Sequence, residues 1–209
     1  MKRIVVMCSG GGSNFQTIID GCQKGEIDGQ IVQMISTARK GYCLERASRA
    51  GIPSVVIHKS DYETMEALNE ARHQALCAAK PDLIVLAGFL GILPPQTIQA
   101  FSGKIINIHP ALIPSFCGKG MFGHHVHEAV LAYGAKLSGA TVHFVNEEVD
   151  GGPVILQRSV EVLEDDTPDS LAARVLTVEH VLLPQAVRLF CADRLKIEGR
   201  KVRILKNSF

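Results

Sequence analysis

Residues 2–15 of the chain, KRIVVMCSGGGSNF, decide its fold. Arg3–Cys8 is a short apolar run without polar alternation, which is typical of a strand buried on both faces. Glycines follow, and Ser13 or Asn14 is then placed to cap a helix that runs to Gly21. The stretch therefore predicts a strand, a tight loop and a helix, which is the opening unit of an α/β protein.

The same alternation continues through the first half of the chain. Further strands are predicted over Ile31–Thr37, Val55–His58, Asp82–Ala87 and Ile105–Ile108, and helices over Tyr42–Ala50 and Glu63–Ala79. Strands that alternate with helices indicate a parallel sheet with helices packed on both faces.

The second half has a different pattern. The segment His109–His127 is rich in Pro, Gly and His and is too long for an ordinary loop, which favours a functional role. Ala140–Val145 and Val154–Val162 suit an antiparallel hairpin, and Thr167 begins a helix that we expect Pro184 to kink or end. We expect one α/β domain over residues 1–209, with a mostly parallel, Rossmann-like open sheet and an antiparallel C-terminal portion.

Composition excludes several classes of partner. The chain has 209 residues, of which 22 are basic and 21 acidic. A net charge of +1 provides no strong electrostatic attraction for nucleic acid or an anionic membrane. Six scattered cysteines are typical of a reducing compartment. The longest apolar run, Leu83–Leu93, is shorter than the about 20 residues that a membrane helix needs. We expect a cytoplasmic protein that acts on small molecules, without nucleic-acid or membrane partners.

The glycine loop Ser9–Asn14 is the first candidate site. Glycines allow backbone N–H groups to turn toward an anion, and the helix that follows adds its dipole. Phe15 stands where the dinucleotide fingerprint needs glycine, and the lysine of a nucleoside triphosphate loop is absent. The loop favours a monophosphate; the alternative is a tight turn without a ligand.

Two further motifs carry polar side chains suited to catalysis. Asn107 and His109 lie two residues apart at the end of a predicted strand, so both side chains point to the same side and can bind a developing oxyanion. Asp150 precedes Gly151-Gly152-Pro153, and a carboxylate near an imidazole raises the imidazole pKa. The alternatives are an ordinary loop histidine and an aspartate that only organises a turn.

Histidines raise the alternative of a zinc hydrolase. His124, His125 and His127 lie close in sequence, with His109 and His143 as further candidates. The H-E-x-x-H arrangement is absent from the sequence, so we expect no metal.

The order and spacing of five segments together indicate a family. These segments are SGGGSN at 9–14, LAGFL at 86–90, NIHPALIP at 107–114, VHFV at 142–145 and DGGPVILQ at 150–157. With them the chain resembles, from Lys2 to about Leu195, the phosphoribosylglycinamide formyltransferases, a branch of the folate-dependent formyltransferases. The N-I-H-P and D-G-G-P segments recur in the wider family, whereas the glycine loop is particular to the purine branch. Gly91 and Met65 stand where some relatives carry arginine.

The resemblance implies a reaction in which the glycinamide amine attacks the formyl carbon of 10-formyltetrahydrofolate, the co-substrate. It implies that Asn107 and His109 stabilise the tetrahedral oxyanion, that His109 passes a proton to the leaving nitrogen, and that Asp150 keeps His109 charged and oriented. The implied binding residues are Gly12, Ser13, Asn14 and Glu179 for the ribonucleotide, and Leu90, Gly91, Ile92, Leu93 and Asn107 for the folate. A monomer or homodimer is expected.

Other members of the family differ in domain content. Methionyl-tRNA formyltransferases add a C-terminal domain and bind tRNA, and formyltetrahydrofolate deformylases add an N-terminal regulatory domain. With 209 residues and a charge of +1, the chain is expected to be neither. A phosphate-binding module without chemistry is a further alternative, and the presence of Asn107, His109 and Asp150 argues against it.

Overall fold

A computed structural model describes residues 1–206 of the chain. Its backbone divides into two compact units, Met1–Ile106 and Asn107–Phe209, and each is described on its own. The single domain expected from the sequence stays a prediction.

The first unit is built on a parallel sheet. Its strands are β1 (Lys2–Cys8), β2 (Gly29–Ser36), β3 (Ser54–Val56) and β4 (Leu83–Leu86). They lie side by side in the order β3-β2-β1-β4, and each neighbouring pair is parallel. β1 is central, and its residues Ile4–Cys8 are fully buried, as the absence of polar alternation predicts.

Helices follow the strands in the first unit, as predicted. They are α1 (Ser13–Gln23), α2 (Tyr42–Arg49), α3 (Met65–Ala79) and the short α4 (Pro95–Ala100), with a single 3-10 turn at Lys59–Asp61. The predicted helix over Glu63–Ala79 begins two residues later, because Thr64 caps it by accepting from the amide of Ala67. α4 was not predicted, since its six residues are too few to show a periodicity.

The start of α1 differs from the prediction. The residue before its first turn is Gly12, with a φ of +69°, and no side chain caps the helix. The backbone therefore enters α1 through a left-handed turn, which glycine adopts without the steric penalty of a Cβ. Ser13 begins the helix and does not cap it.

β5 (Ile105–His109) crosses from the first unit into the second. The further elements of the second unit are α5 (His124–Tyr133), β6 (Leu137–Phe144), β7 (Val154–Glu161), α6 (Pro168–Cys191), β8 (Leu195–Glu198) and β9 (Lys201–Ile204). β6 and β7 form the predicted antiparallel hairpin, and β8 and β9 form a second antiparallel pair. The α/β class, with parallel strands first and antiparallel strands toward the C-terminus, is confirmed.

Of two expectations for the second unit, one stays open and one was wrong. α6 continues past Pro184 to Cys191, so Pro184 does not end the helix, and the expected kink at this residue stays a prediction. The histidine-rich segment predicted as loop up to His127 includes the start of α5, whose N-terminal residue is His124. Within residues 1–206, no helix is both long and apolar enough to cross a membrane.

Candidate active site

The C-terminal end of β5 presents Asn107 and His109. The two residues alternate with Ile108 along the strand, so their side chains share one face. His109 is almost fully buried, with 3% of its surface exposed, and Asn107 is half-buried. A buried imidazole beside an amide is available for proton transfer in a place with little water.

The turn that carries Asp150 has an unusual backbone. Asp150 itself has a φ of +55°, and a Cβ at Gly152 would lie 1.7 Å from the carbonyl oxygen of Phe144. Only glycine allows the turn to approach the end of β6 so closely. The Gly-Gly-Pro sequence therefore sets the position from which Asp150 reaches the end of β5.

The three side chains expected to be catalytic meet at one point. One carboxylate oxygen of Asp150, Oδ2, lies 3.5 Å from Nδ1 of His109, and the other, Oδ1, lies 3.5 Å from Nδ2 of Asn107. The amide of Gly118 donates to Oδ2 of Asp150 at 3.0 Å. The carboxylate thus links the imidazole, the side-chain amide and the segment after β5.

His143 is a fourth side chain in this cluster. The sequence suggested it only as a candidate metal ligand. Its Nδ1 lies 2.8 Å from the carbonyl oxygen of Phe144, so Nδ1 carries a proton and donates. Nε2 lies 3.2 Å from Nδ2 of Asn107 and 3.6 Å from Oδ1 of Asp150, and in the neutral ring it accepts a hydrogen bond from Nδ2 of Asn107. His143 thereby determines which end of the Asn107 amide faces it, since an oxygen there would meet a lone pair.

Both nitrogens of His109 face acceptors. Nε2 lies 2.8 Å from the carbonyl oxygen of Phe116, a residue with a φ of +50°, and Nδ1 faces Asp150. Burial lowers the pKa of His109, and this effect outweighs the charge of Asp150 and the Phe116 carbonyl, which both raise it. Burial therefore favours the neutral imidazole in the resting site while Asp150 acts in the opposite direction, and the expectation that Asp150 keeps His109 charged stays a prediction.

Asp150 remains ionised despite its surroundings. Burial on its own would raise the pKa of Asp150, but His143, whose Nε2 lies 3.6 Å from Oδ1, the charge of His109 and the amide of Gly118 together lower it. The site therefore pairs a stable carboxylate with an imidazole that is easily deprotonated.

The segment after β5 is tied to β6 and β7 by two side chains. Thr141 donates from Oγ1 to the carbonyl of Ala111 at 2.7 Å and accepts from the amide of Ile113 at 3.1 Å. Gln157 donates from Nε2 to the carbonyl of Ile113 at 2.8 Å and to Thr141 at 2.9 Å. Gln157 lies in the D-G-G-P-V-I-L-Q segment, but sequence reasoning gave it no role, because one of its two partners is a backbone carbonyl and the other lies 16 residues away in the sequence.

The glycine loop lies in the first unit and is organised by its neighbours. Ser9 Oγ accepts from Thr37 Oγ1 at 2.7 Å and from the amide of Leu90 at 2.9 Å. Gly10 and Gly11 are exposed, whereas the side chain of Asn14 is buried. The exposed part of the loop is therefore the glycine backbone.

The segment expected to hold the folate follows β4. Leu90 and Ile92 are 64% and 62% exposed, whereas Leu93 is buried. A Cβ at Gly91 would lie 2.6 Å from the ring of Phe89, so glycine at this position lets the segment pack against the ring. Two large apolar side chains held in solvent are suited to covering a flat ligand ring.

Glu179 and the remaining histidines lie on helices of the second unit. Glu179 is on α6 and is 9% exposed. On α5, His125 pairs with Glu128 and the exposed His124 lies 3.5 Å from Asp169, while His127 is buried. Within residues 1–206 no three His, Cys, Asp or Glu side chains lie where they could hold a metal ion.

Comparison with known proteins gives a consistent result. The family model described as "Formyl transferase" matches residues 2–187. The chain is 41% identical to "Phosphoribosylglycinamide formyltransferase, chloroplastic" of Arabidopsis thaliana over 99% of its own length and 71% of the relative's. It is 40% identical to "Phosphoribosylglycinamide formyltransferase" of Escherichia coli over 93% of its length and 90% of the relative's. The crystal structure of glycinamide ribonucleotide transformylase 1 from Symbiobacterium toebii superposes with a TM-score of 0.93 at 43% identity, covering 99% of this chain and 95% of that one.

Proposed function

The chain belongs to the formyl transferase family, and on this premise we propose that it transfers a formyl group from 10-formyltetrahydrofolate to the amine of glycinamide ribonucleotide. The products are the formylated ribonucleotide and tetrahydrofolate, a step of purine biosynthesis. The observation that carries this proposal is the meeting of Asn107, His109 and Asp150 at the end of β5.

His109 moves the proton in this reaction. The substrate amine attacks the formyl carbon, a C–N bond forms, and the ammonium nitrogen of the tetrahedral intermediate loses a proton to the neutral imidazole. The imidazolium then gives that proton to N10 of the folate as the C–N10 bond breaks. A lowered pKa suits both steps, because the ring is neutral before attack and is a strong acid afterwards. To act as the base, Nε2 gives up its hydrogen bond to the Phe116 carbonyl, and the neutral ring carries its proton on Nδ1, which faces Asp150.

Asn107 stabilises the oxyanion. One hydrogen of its Nδ2 is held by His143 at 3.2 Å, and the other is directed toward Asp150 at the longer distance of 3.5 Å. The second hydrogen is the one that the developing oxyanion takes, since a charged oxygen at shorter range is a stronger acceptor. His143 acts as a positioning residue, because it keeps nitrogen and not oxygen on that side of the amide.

Asp150 orients His109 and opposes the effect of burial on its pKa. When His109 takes up the proton, the carboxylate 3.5 Å from Nδ1 becomes the partner of an ion pair. The pair forms only in the intermediate, which is where stabilisation increases the rate.

Substrate binding falls to the remaining predicted residues. The exposed glycine backbone, with Gly12, Ser13 and Asn14, holds the ribose phosphate, and Glu179 contributes to binding the ribonucleotide. Leu90, Gly91, Ile92 and Leu93 cover the pterin, and Asn107 completes the folate site. A metal-free reaction, a monomer or homodimer and a cytoplasmic location stay predictions.

A spectroscopic assay of tetrahydrofolate release tests the proposal. We expect release from 10-formyltetrahydrofolate only when glycinamide ribonucleotide is present. Release at the same rate without the ribonucleotide would show that water is the acceptor and would contradict the proposed transfer. Folded protein that releases nothing under either condition would contradict it as well.

A further inference from the structure

The glycine loop is held by hydrogen bonds from α2. The backbone amide of Cys43 donates to the carbonyl of Gly10 at 3.2 Å. Arg46, one turn further along the helix, donates from Nε to the carbonyl of Gly11 at 2.9 Å. Its Nη1 donates at 2.9 Å to the side chain of Gln16 on α1. Two successive carbonyls of the loop are thus turned toward the same helix.

The direction of these carbonyls sets the direction of the amides that follow them. In a planar trans peptide the C=O and N–H bonds point to opposite sides, so the amides of Gly11 and Gly12 point away from α2. Within residues 1–206 neither amide has a hydrogen-bond acceptor. Successive amides that converge without a protein partner form a concavity suited to an anion.

Arg46 also brings a charge that no carboxylate neutralises. Its guanidinium lies 4.8 Å from the ring centroid of Tyr42, and it forms no ion pair in the described part of the chain. Arg49, one turn later on the same helix, is paired with Glu45. The net positive charge on this side of α2 therefore lies beside the loop, where it attracts a phosphate dianion.

We propose that Arg46 is the positioning residue of the phosphate site: it holds the Gly11 carbonyl so that the Gly11 and Gly12 amides face the phosphate, and its charge adds to their attraction. The inference deepens the proposed function and rests on its assignment of the glycine loop to the ribose phosphate. Arg46 acts through the loop, since its Nε and Nη1 are committed to Gly11 and Gln16.

The test compares Arg46→Met with Arg49→Met, a matched loss of one arginine from the same helix. For Arg46→Met we expect KM for glycinamide ribonucleotide to rise about tenfold or more, as for the loss of a charge-assisted hydrogen bond. We expect KM for 10-formyltetrahydrofolate to stay within about twofold, and Arg49→Met to change neither constant by more than that. Arg46→Lys keeps the charge but cannot donate to Gly11 and Gln16 together. Its KM for glycinamide ribonucleotide is therefore expected to lie between those of wild type and Arg46→Met.

A substrate without the phosphate separates positioning from general damage. With glycinamide riboside, Arg46→Met and wild type are expected to have the same kcat/KM, because no phosphate is present to lose. An unchanged KM for the ribonucleotide, or an equal loss with the riboside, would overturn the proposal.

Calorimetric titration with inorganic phosphate tests the site without catalysis. Phosphate is expected to bind wild type and Arg49→Met alike and Arg46→Met about tenfold more weakly. Equal binding to all three would overturn the role of Arg46 even if formyl transfer is observed. A protein that binds phosphate in this way but transfers no formyl group would instead contradict the proposed function alone.

Discussion

At the scale of single residues, the protonation of His109 is decided by opposing effects. Asp150 and the Phe116 carbonyl favour the imidazolium, and burial favours the neutral ring and prevails. The acid limb of kcat/KM in the free enzyme reports the pKa of this base, so we expect activity to persist below the ordinary histidine value of about 6.5.

Asp150→Asn tests this balance. The substitution removes a charge that raises the His109 pKa, so the pKa falls further and the acid limb of kcat/KM moves to lower pH. We expect kcat to fall by about a hundredfold, within the range of acid–base catalysis, because the imidazolium of the intermediate loses its partner. Glu147→Gln removes the same charge from an exposed position on the same loop and should leave the limb in place. A limb that moves to higher pH in Asp150→Asn would contradict the account.

The same scale shows what a sequence can and cannot predict about a site. Asn107, His109 and Asp150 could be found because their side chains stand in short motifs at the ends of strands. The carbonyl of Phe116 and the amide of Gly118 could not, since any residue supplies a backbone group. The lowered pKa of His109 also escaped prediction, because burial depends on packing that no local motif encodes.

At the scale of elements, the glycine loop is constrained by α2. Gly12 has a φ of +69°, and a Cβ there would lie 2.7 Å from Cβ of Cys43. The residue that begins the turn into α1 must therefore be glycine. Capping preferences in the sequence point to Ser13 or Asn14 and do not indicate this requirement.

Gly12→Ala is expected to push the loop away from α2. We expect it to cost about 1–2 kcal/mol for the left-handed backbone alone and to raise KM for the ribonucleotide, as measured by denaturant unfolding and steady-state kinetics. Gly10→Ala is the control for stability, because its Cβ would meet no atom within 4 Å and its φ is not left-handed. Equal stability in the two variants, or an unchanged KM for the ribonucleotide in Gly12→Ala, would be inconsistent with this role for Gly12.

The start of α6 could be predicted from its local sequence, because Thr167 caps the helix. Thr167 accepts from the amide of Ser170, and Ser170 accepts in return from the amide of Thr167. Thr167→Ala is expected to lower the free energy of unfolding by about 1 kcal/mol. Thr177→Ala on the exposed face of the same helix should not lower it, because alanine has the higher helix propensity. Urea denaturation of both variants measures the difference, and equal losses would argue against the cap.

At the scale of the whole molecule, the order of strands and helices was predictable where hydrophobic periodicity is strong. The parallel strands of the first unit and the β6–β7 hairpin follow from buried apolar runs. β8 and β9 were missed because each has four residues, and their charged side chains obscure the alternation. α5 was missed because its first turn is rich in histidine and follows glycine.

The central claim is that the formyl carbon moves to the amine of the ribonucleotide and not to water. Mass spectrometry of products formed from 10-formyltetrahydrofolate labelled with carbon-13 in the formyl group tests it most directly. We predict that the label appears in the ribonucleotide, in an amount equal to the tetrahydrofolate released, and that His109→Ala loses most of this product. Label recovered as formate, with an unlabelled ribonucleotide, would contradict it.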